Sequence, residues 1–266
     1  MRATQPSTAT EAPLVLVEKR EGIGILTLNN PAKRNVLSRP MLDALSEGIA
    51  QFRDDDAVRV VILAAQGPVF CSGHDMKEIV GRNRSNAEDL FSLSTSVMES
   101  IRLLPKPVIA QVQGLASAAG CQLAATCDLA VAASTAGFQT PGVKIGLFCS
   151  TPMVPLSRAV PPKKAMEMLL TGEAIPAEEA ERIGLINRVV PPEELERATF
   201  ELAQQIAAYS TYTVRLGKEA FYKQLPLGVA AAYEVGQEAM VRNAVADDAQ
   251  EGMSAFLEKR DPHWKR

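Results

Sequence analysis

No run of eighteen apolar residues, about the length at which a helix crosses a bilayer, occurs in the sequence, so membrane insertion is not expected. Histidine is scarce. His74 and His263 are the only two and lie far apart, and the four cysteines, Cys71, Cys121, Cys127 and Cys149, follow no regular spacing. That pattern excludes a disulfide scaffold and offers no histidine-based metal site, so no metal is expected and the thiols read as reduced, partly buried and intracellular. Basic stripes interleaved with aromatics are also missing, which argues against a nucleic-acid partner. The net charge of -3 favours no partner of its own.

What is present is the composition of one large globular domain: 266 residues, 47% hydrophobic and 22% charged. Residues 1–12 are small, polar and unperiodic, so they read as a disordered segment with little of the character of a transit peptide. Leu14 to Glu18 and Ile23 to Asn29 flank a glycine turn and predict a hairpin. Ser38 is placed to cap a helix carrying Leu42, Leu45, Ile49 and Phe52 on one stripe. Val58 to Ala64, Val108 to Val112 and Leu129 to Ala133 are nearly unbroken apolar runs, as in strands covered on both faces. Between them lie a helix to about Arg102, opened by a capping box at Ser85 to Glu88, and a short apolar helix from Ala118 to Thr126. This alternation predicts an α/β layout. Beyond Pro152 helical patterns dominate, at 163–170, 177–183, 193–209, 213–224 and 229–259, with one strand at 186–190.

Two segments each place a glycine-containing bend between a buried strand and a helix start. They are Phe70 to Asp75 and Gly114 to Gly120. In the second, a Ser117 cap would leave early N–H groups such as that of Ala119 free, and free donors beside small side chains suit an oxyanion. The same pattern also serves as a tight packing turn.

The runs Asn30 to Ser38, Phe70 to Glu78, Gln113 to Leu129, Leu170 to Gly172, Ala177 to Ala180, Gly184 to Val190 and Glu251 to Arg260 resemble, in one order along the chain, the signatures of the enoyl-CoA hydratase/isomerase (crotonase) family. The resemblance implies a crotonase-like spiral of ββα repeats over 13–205. A helical trimerisation region at 206–266 would follow, giving a homotrimer or a dimer of trimers. It implies an acyl-CoA thioester as the ligand, with coenzyme A as part of that ligand and no separate cofactor, and a mitochondrial matrix setting in fatty-acid or lipid metabolism. The backbone N–H groups of His74 and Ala119 would form an oxyanion hole. Ser72, Lys33, Arg34 and Lys77 would contact coenzyme A, while Phe256 and Lys259 would reach a neighbour's ligand.

The departures from the family pattern matter as much. The two glutamates that the family's hydratases use correspond here to Gln122 and Gly142, and the isomerase acid corresponds to Ser150. Glutamine neither gives nor takes a proton near neutrality and glycine has no side chain, so general acid–base help of roughly a hundred- to ten-thousandfold should be missing. His74 and Asp75 remain as proton carriers by residue type, although Asp75 also suits a helix cap. A hydrolase built from Ser150 or Cys149 with His74 and Asp75 would need adjacent residues to form a triad, and no nucleophile-elbow sequence is present. Cys121 and Cys127, on one apolar helix, read as core. The expectation is an acyl-CoA-binding homologue with little or no hydratase activity. The alternatives are an enolate-stabilising decarboxylase or isomerase with another proton carrier, and a structural or regulatory oligomer without ligand.

Overall fold

The computed structural model describes residues 12–265, so the disorder expected of the N-terminal segment lies, except for Ala12, outside the described residues. β1 (Val15–Arg20) and β2 (Ile23–Leu28) form the expected antiparallel hairpin around Glu21 and Gly22. α1 (Arg39–Asp54) follows and buries the predicted stripe of Leu42, Leu45, Ile49 and Phe52. A unit then recurs. β3 (Val60–Ala65) and β4 (Val69–Cys71) precede α2 (Arg84–Arg102), and β5 (Val108–Val112) and β6 (Leu115–Ser117) precede α3 (Ala119–Thr126). β7 (Leu129–Ala133) and β8 (Gly137–Gln139) precede a 3-10 turn at Pro141–Ile145 and α4 (Met153–Ala159). The remainder is α5 (Pro162–Thr171), β9 (Ile175–Pro176), α6 (Ala177–Arg182), β10 (Arg188–Val190), α7 (Leu195–Ala207), α8 (Thr211–Gln224), α9 (Val229–Ala244) and α10 (Asp247–Glu258).

In each repeat the first strand joins one sheet and the second strand another, so successive repeats stack as a spiral. The large sheet runs β1-β2-β3-β5-β7-β10 and the small one β4-β6-β8-β9. The large sheet is covered on both faces: Val61, Leu63, Val108 and Ala110 pack into the main core, while Val60, Ile62, Ile109 and Val131 meet Leu195, Leu202 and Ala203 of α7. Two-sided burial explains why these strands read as unbroken apolar runs, since each such side chain contributes roughly 1.5–3 kcal/mol when withdrawn from water.

Several expectations are corrected. Asn83 caps α2, its side chain accepting the Asn86 N–H at 3.0 Å, so the Ser85 to Glu88 box lies inside the helix. The helix expected over 229–259 is two, because the chain is extended at Ala246. Asp247 and Asp248 then open α10, where carboxylates favour a helix N-terminus. The predicted span passes over β4, β6 and β8, whose three residues are too few to show a period. Asp128 anchors the C-terminal helices to the core, accepting from the Lys218 Nζ at 2.6 Å, the Tyr222 hydroxyl at 2.8 Å and the Val108 N–H at 2.7 Å. Beyond that anchor α9 buries no residue, and Val229 and Tyr233 are 76% and 75% exposed. Among the described residues no helix is long and apolar enough to cross a membrane.

Candidate active site

β4, β6 and β8 lie side by side and parallel, with Val69 opposite Leu115 and Ser117 opposite Gln139, so their C-terminal ends share one edge. Each strand ends there in a bend: Ser72 to His74, Ser117 to Ala119 and Thr140 to Gly142. The first two are the bends singled out from the sequence. Their contact depends on glycine. Gly73 has φ +95°, and a Cβ on it would stand 3.0 Å from the Ala118 Cβ and 3.4 Å from the Ala119 nitrogen. Gly120 packs so closely on the Cys71 carbonyl that any side chain would overlap it.

The chain around these bends is heavily hydrogen-bonded. The Ser72 N–H donates to the Arg34 carbonyl at 3.1 Å, the Leu37 N–H to the Gly73 carbonyl at 2.7 Å and the Ala118 N–H to the Gln139 carbonyl at 3.0 Å. The His74 and Ala119 N–H groups, by contrast, find no acceptor among the described residues. Ala119 opens α3, where an N–H has no intrahelical partner and the helix dipole adds partial positive charge. The expected Ser117 cap is corrected: Ala118 holds the cap position at φ 51°, ψ −115°, and the Ser117 hydroxyl accepts from Gln139 Nε2 at 3.0 Å. A non-glycine residue in that conformation stores about 1–3 kcal/mol of strain.

The His74 side chain packs between Leu37 and Phe91. Its Nδ1 lies 3.3 Å from the Leu37 carbonyl and its ring meets Phe91 edge-on at 5.4 Å. A carbonyl only accepts, so Nδ1 carries the proton and Nε2, buried and unpartnered, bears a lone pair. Burial lowers the imidazole pKa, partly opposed by the Leu37 carbonyl. Asp75 caps the following 3-10 turn, accepting the Lys77 N–H at 2.9 Å. Beside Phe91, an open groove of about 610 Å³ follows α2 past Ala87, Ser92 and Thr95.

Gln122 lies one turn into α3 and is 4% exposed, with its Oε1 unpartnered. Gly142 is buried on the third bend, its N–H donating to Cys149 Sγ at 3.4 Å and its carbonyl accepting from the Leu147 N–H at 2.9 Å. Ser150 is exposed and its hydroxyl donates to the Phe148 carbonyl at 3.3 Å. With Ser150, His74 and Asp75 engaged in these separate bonds, no triad is assembled. Cys71, Cys121 and Cys127 are buried in the core, and desolvation pushes the Cys71 and Cys121 thiols up to about 12.

Lys33 and Arg34 are exposed and Lys77 stands on the surface just after the first bend. Their loop is held by Asn35, a residue that the sequence alone does not single out. Asn35 is fully buried in the left-handed region at φ 50°, and its Nδ2 donates to the Gln66 and Val69 carbonyls at 2.8 Å each. The available signal is an asparagine in a turn, the non-glycine type that best tolerates that region. Phe256 and Lys259 sit at the far end of α10, where Phe256 is 82% exposed, and no hydrogen bond ties either side chain to the bends among the described residues.

Comparison with known proteins agrees with this geometry. The family model described as "Enoyl-CoA hydratase/isomerase" matches residues 18–266. The human protein named "Enoyl-CoA hydratase domain-containing protein 3, mitochondrial" is 51% identical over 245 residues, spanning 92% of this chain and 81% of that relative. The crystal structure of human enoyl-CoA hydratase domain-containing protein 3 superposes with a TM-score of 0.92 at 49% identity, covering 94% of this chain and all of that one. That of an enoyl-CoA hydratase from Mycobacterium smegmatis gives 0.93 at 47% identity, covering 95% and 99%. The strand–strand–helix spiral, the paired bends at one sheet edge and these likenesses lead to one assignment: the chain belongs to the enoyl-CoA hydratase/isomerase family.

Proposed function

We propose that the chain binds the acyl thioester of coenzyme A, with the thioester carbonyl accepting from the His74 and Ala119 N–H groups. The observation that carries this reading is the pair of unpartnered main-chain donors on two bends that Gly73 holds in contact. Two such donors polarise the carbonyl and stabilise an enolate, and losing one typically costs roughly a hundred- to a thousandfold in rate. Coenzyme A enters as part of the ligand. Lys33, Arg34, Ser72 and Lys77 surround the first bend and would contact it, and Phe256 and Lys259 would act on a neighbour's ligand in a trimer. The bare apolar face of α9 supports such an assembly, since an apolar patch of that kind marks a contact surface.

Hydration of an enoyl thioester is expected to be slow or absent. Gln122 and Gly142 stand where the family's hydratases carry glutamates and Ser150 where isomerases carry an acid, so no carboxylate is placed to deliver water. The relatives' mitochondrial names favour a mitochondrial, matrix role in fatty-acid or lipid metabolism. Calorimetric titration with butyryl-CoA tests binding, with saturable heat and a negative heat-capacity change expected. A parallel assay with crotonyl-CoA tests the missing acids: turnover within about tenfold of a two-glutamate relative would refute the second half of the reading.

A further inference from the structure

The groove along α2 is left unused by the two donors, yet it begins beside them. It is lined by Arg84, Ala87, Glu88, Phe91, Ser92 and Thr95, and most of the surface it offers is apolar. Phe91 joins it to the bends, because its ring meets that of His74 at 5.4 Å and the His74 N–H is one of the two free donors. A thioester whose carbonyl sits on the bends therefore has a path for the rest of its acyl chain.

The two ends of the groove differ. From Leu90 onward α2 turns Leu90, Ser94, Val97 and Met98 into the core, whereas residues 84–89 bury nothing, so the end at Arg84 is the open one. Arg84 stands there with 91% of its side chain exposed, and its bond to Glu88 at 2.6 Å uses Nε alone. Among the described residues its two Nη groups have no partner, which leaves them free for a two-point bond to a carboxylate. An exposed pair at i, i+4 holds little free energy, so a ligand can share the guanidinium with Glu88 at small cost. Arg39 adds a second guanidinium at the same helix start, its Nη2 donating to the Asn86 carbonyl at 2.8 Å. Of the acidic residues in the first two turns, Glu88 lines the groove and Asp89 does not.

Resting on the thioester-binding reading above, we propose that the groove takes the chain of an ω-carboxyacyl thioester, the coenzyme A monothioester of a medium-chain dicarboxylic acid, and that Arg84 binds its distal carboxylate. The length follows from the helix. Phe91 and Arg84 are seven residues apart in α2, which is about 10 Å along its axis. By ordinary bond lengths and angles an extended chain advances about 1.25 Å per carbon, so about eight carbons span that stretch and about ten reach from the thioester carbonyl to the guanidinium. A shorter diacid leaves its charge on the apolar stretch around Ala87 and Phe91, where an unpaired carboxylate is costly. A plain fatty chain leaves Arg84 unused.

The test is calorimetric titration in low salt with decanedioyl-CoA, decanoyl-CoA, butanedioyl-CoA and butyryl-CoA. In the wild type decanoyl-CoA should bind more tightly than butyryl-CoA, because the groove buries the added methylenes. Decanedioyl-CoA should bind roughly fivefold more tightly than decanoyl-CoA, the upper range for an exposed ion pair, and lose that gain in high salt. Butanedioyl-CoA should show no gain over butyryl-CoA. Arg84→Met should bind the two ten-carbon ligands alike, and Glu88→Gln, which removes the competing acceptor, should widen their difference. Ala87→Trp should fill the groove and weaken both relative to butyryl-CoA. Equal affinities of the ten-carbon ligands in the wild type, or a preference that survives Arg84→Met, overturn the proposal, as does decanoyl-CoA binding no better than butyryl-CoA. In each of these cases saturable binding of butyryl-CoA leaves the thioester reading standing; absence of butyryl-CoA binding overturns both.

Discussion

Placing glutamate at Gly142 should fail and at Gln122 should be accommodated, and the structure sets the difference. At Gly142 a Cβ alone would lie 2.6 Å from the Leu147 carbonyl oxygen and 2.9 Å from Cys149 Sγ. The first neighbour is main chain, fixed by the bond from the Leu147 N–H to the Gly142 carbonyl, so the 142–149 loop has to move before any side chain fits. Overpacking of that kind costs about 1–3 kcal/mol, which for a domain of this size lowers Tm by roughly 2–12 °C. Gln122→Glu is nearly isosteric and meets no such obstacle. Its cost is electrostatic, because desolvation at a site only 4% exposed raises the pKa of a carboxylate, and each tenfold weakening of the acid corresponds to about 1.4 kcal/mol. A folded-state pKa above the unfolded value means that the folded chain binds more protons. The variant should therefore match the wild type below about pH 4 and fall progressively behind it as pH rises toward the folded-state pKa.

Thermal melts at several pH values and a crotonyl-CoA hydration assay read both effects. Gly142→Glu should melt lower at every pH, Gln122→Glu should diverge only as pH rises, and neither should hydrate within tenfold of a two-glutamate relative. A Gly142→Glu chain melting with the wild type, or a double variant hydrating at the relative's rate with unchanged Tm, would refute the reasoning.

The wild type should itself lose stability as pH falls below about 6.5, the unfolded-state value for histidine, because His74 folds neutral with a lowered pKa and must take up a proton on unfolding; His74→Gln should flatten that slope in melts run between pH 5 and 7. Lys218→Met should lower stability by about 1–3 kcal/mol in denaturant titrations, since it leaves the partly buried Asp128 carboxylate without its counter-charge; a change under about 0.5 kcal/mol would show that the anchor holds little. At the C-terminus the Trp264 indole donates to the Ala208 carbonyl at 2.8 Å and lies 3.1 Å from where a Gly252 Cβ would stand. Gly252→Val should therefore displace the indole and expose 260–265 to limited proteolysis, and an unchanged cleavage pattern would contradict that packing.

Much of this is legible from residue order, and what is not has physical causes. The hairpin, α1 with its buried stripe and the runs at β3, β5 and β7 are readable because one-sided helices and two-sided strands leave long periodic or unbroken patterns. The small sheet is not, since β4, β6 and β8 span three residues each; yet the bends that end β4 and β6 show through their glycines. The third bend is found only through the family resemblance. Thr140 carries no signal, and Cys149 shows in the sequence only as a hydrolase candidate, because the bond its sulfur accepts from the Gly142 N–H depends on how the loop between them folds. Asn35 is hidden for a related reason: its burial is set by the Gln66 and Val69 carbonyls, about thirty residues away.

The two halves of the site also differ in how easily they can change. The donors are main-chain groups, and the glycines that expose them are fixed by packing: a Cβ at Gly120 overlaps the Cys71 carbonyl, and one at Gly73 crowds Ala118 and the Ser117 carbonyl. Losing the donors would therefore mean losing the contact between β4 and β6 on which the spiral rests. On the proposed reading the acids belong to side chains at 122, in α3, and at 142, in a 3-10 turn, so their exchange leaves every strand in place. Under that reading, a chain of this fold exchanges its proton-transfer side chains more easily than its carbonyl-binding groups, because the latter are main-chain atoms fixed by packing.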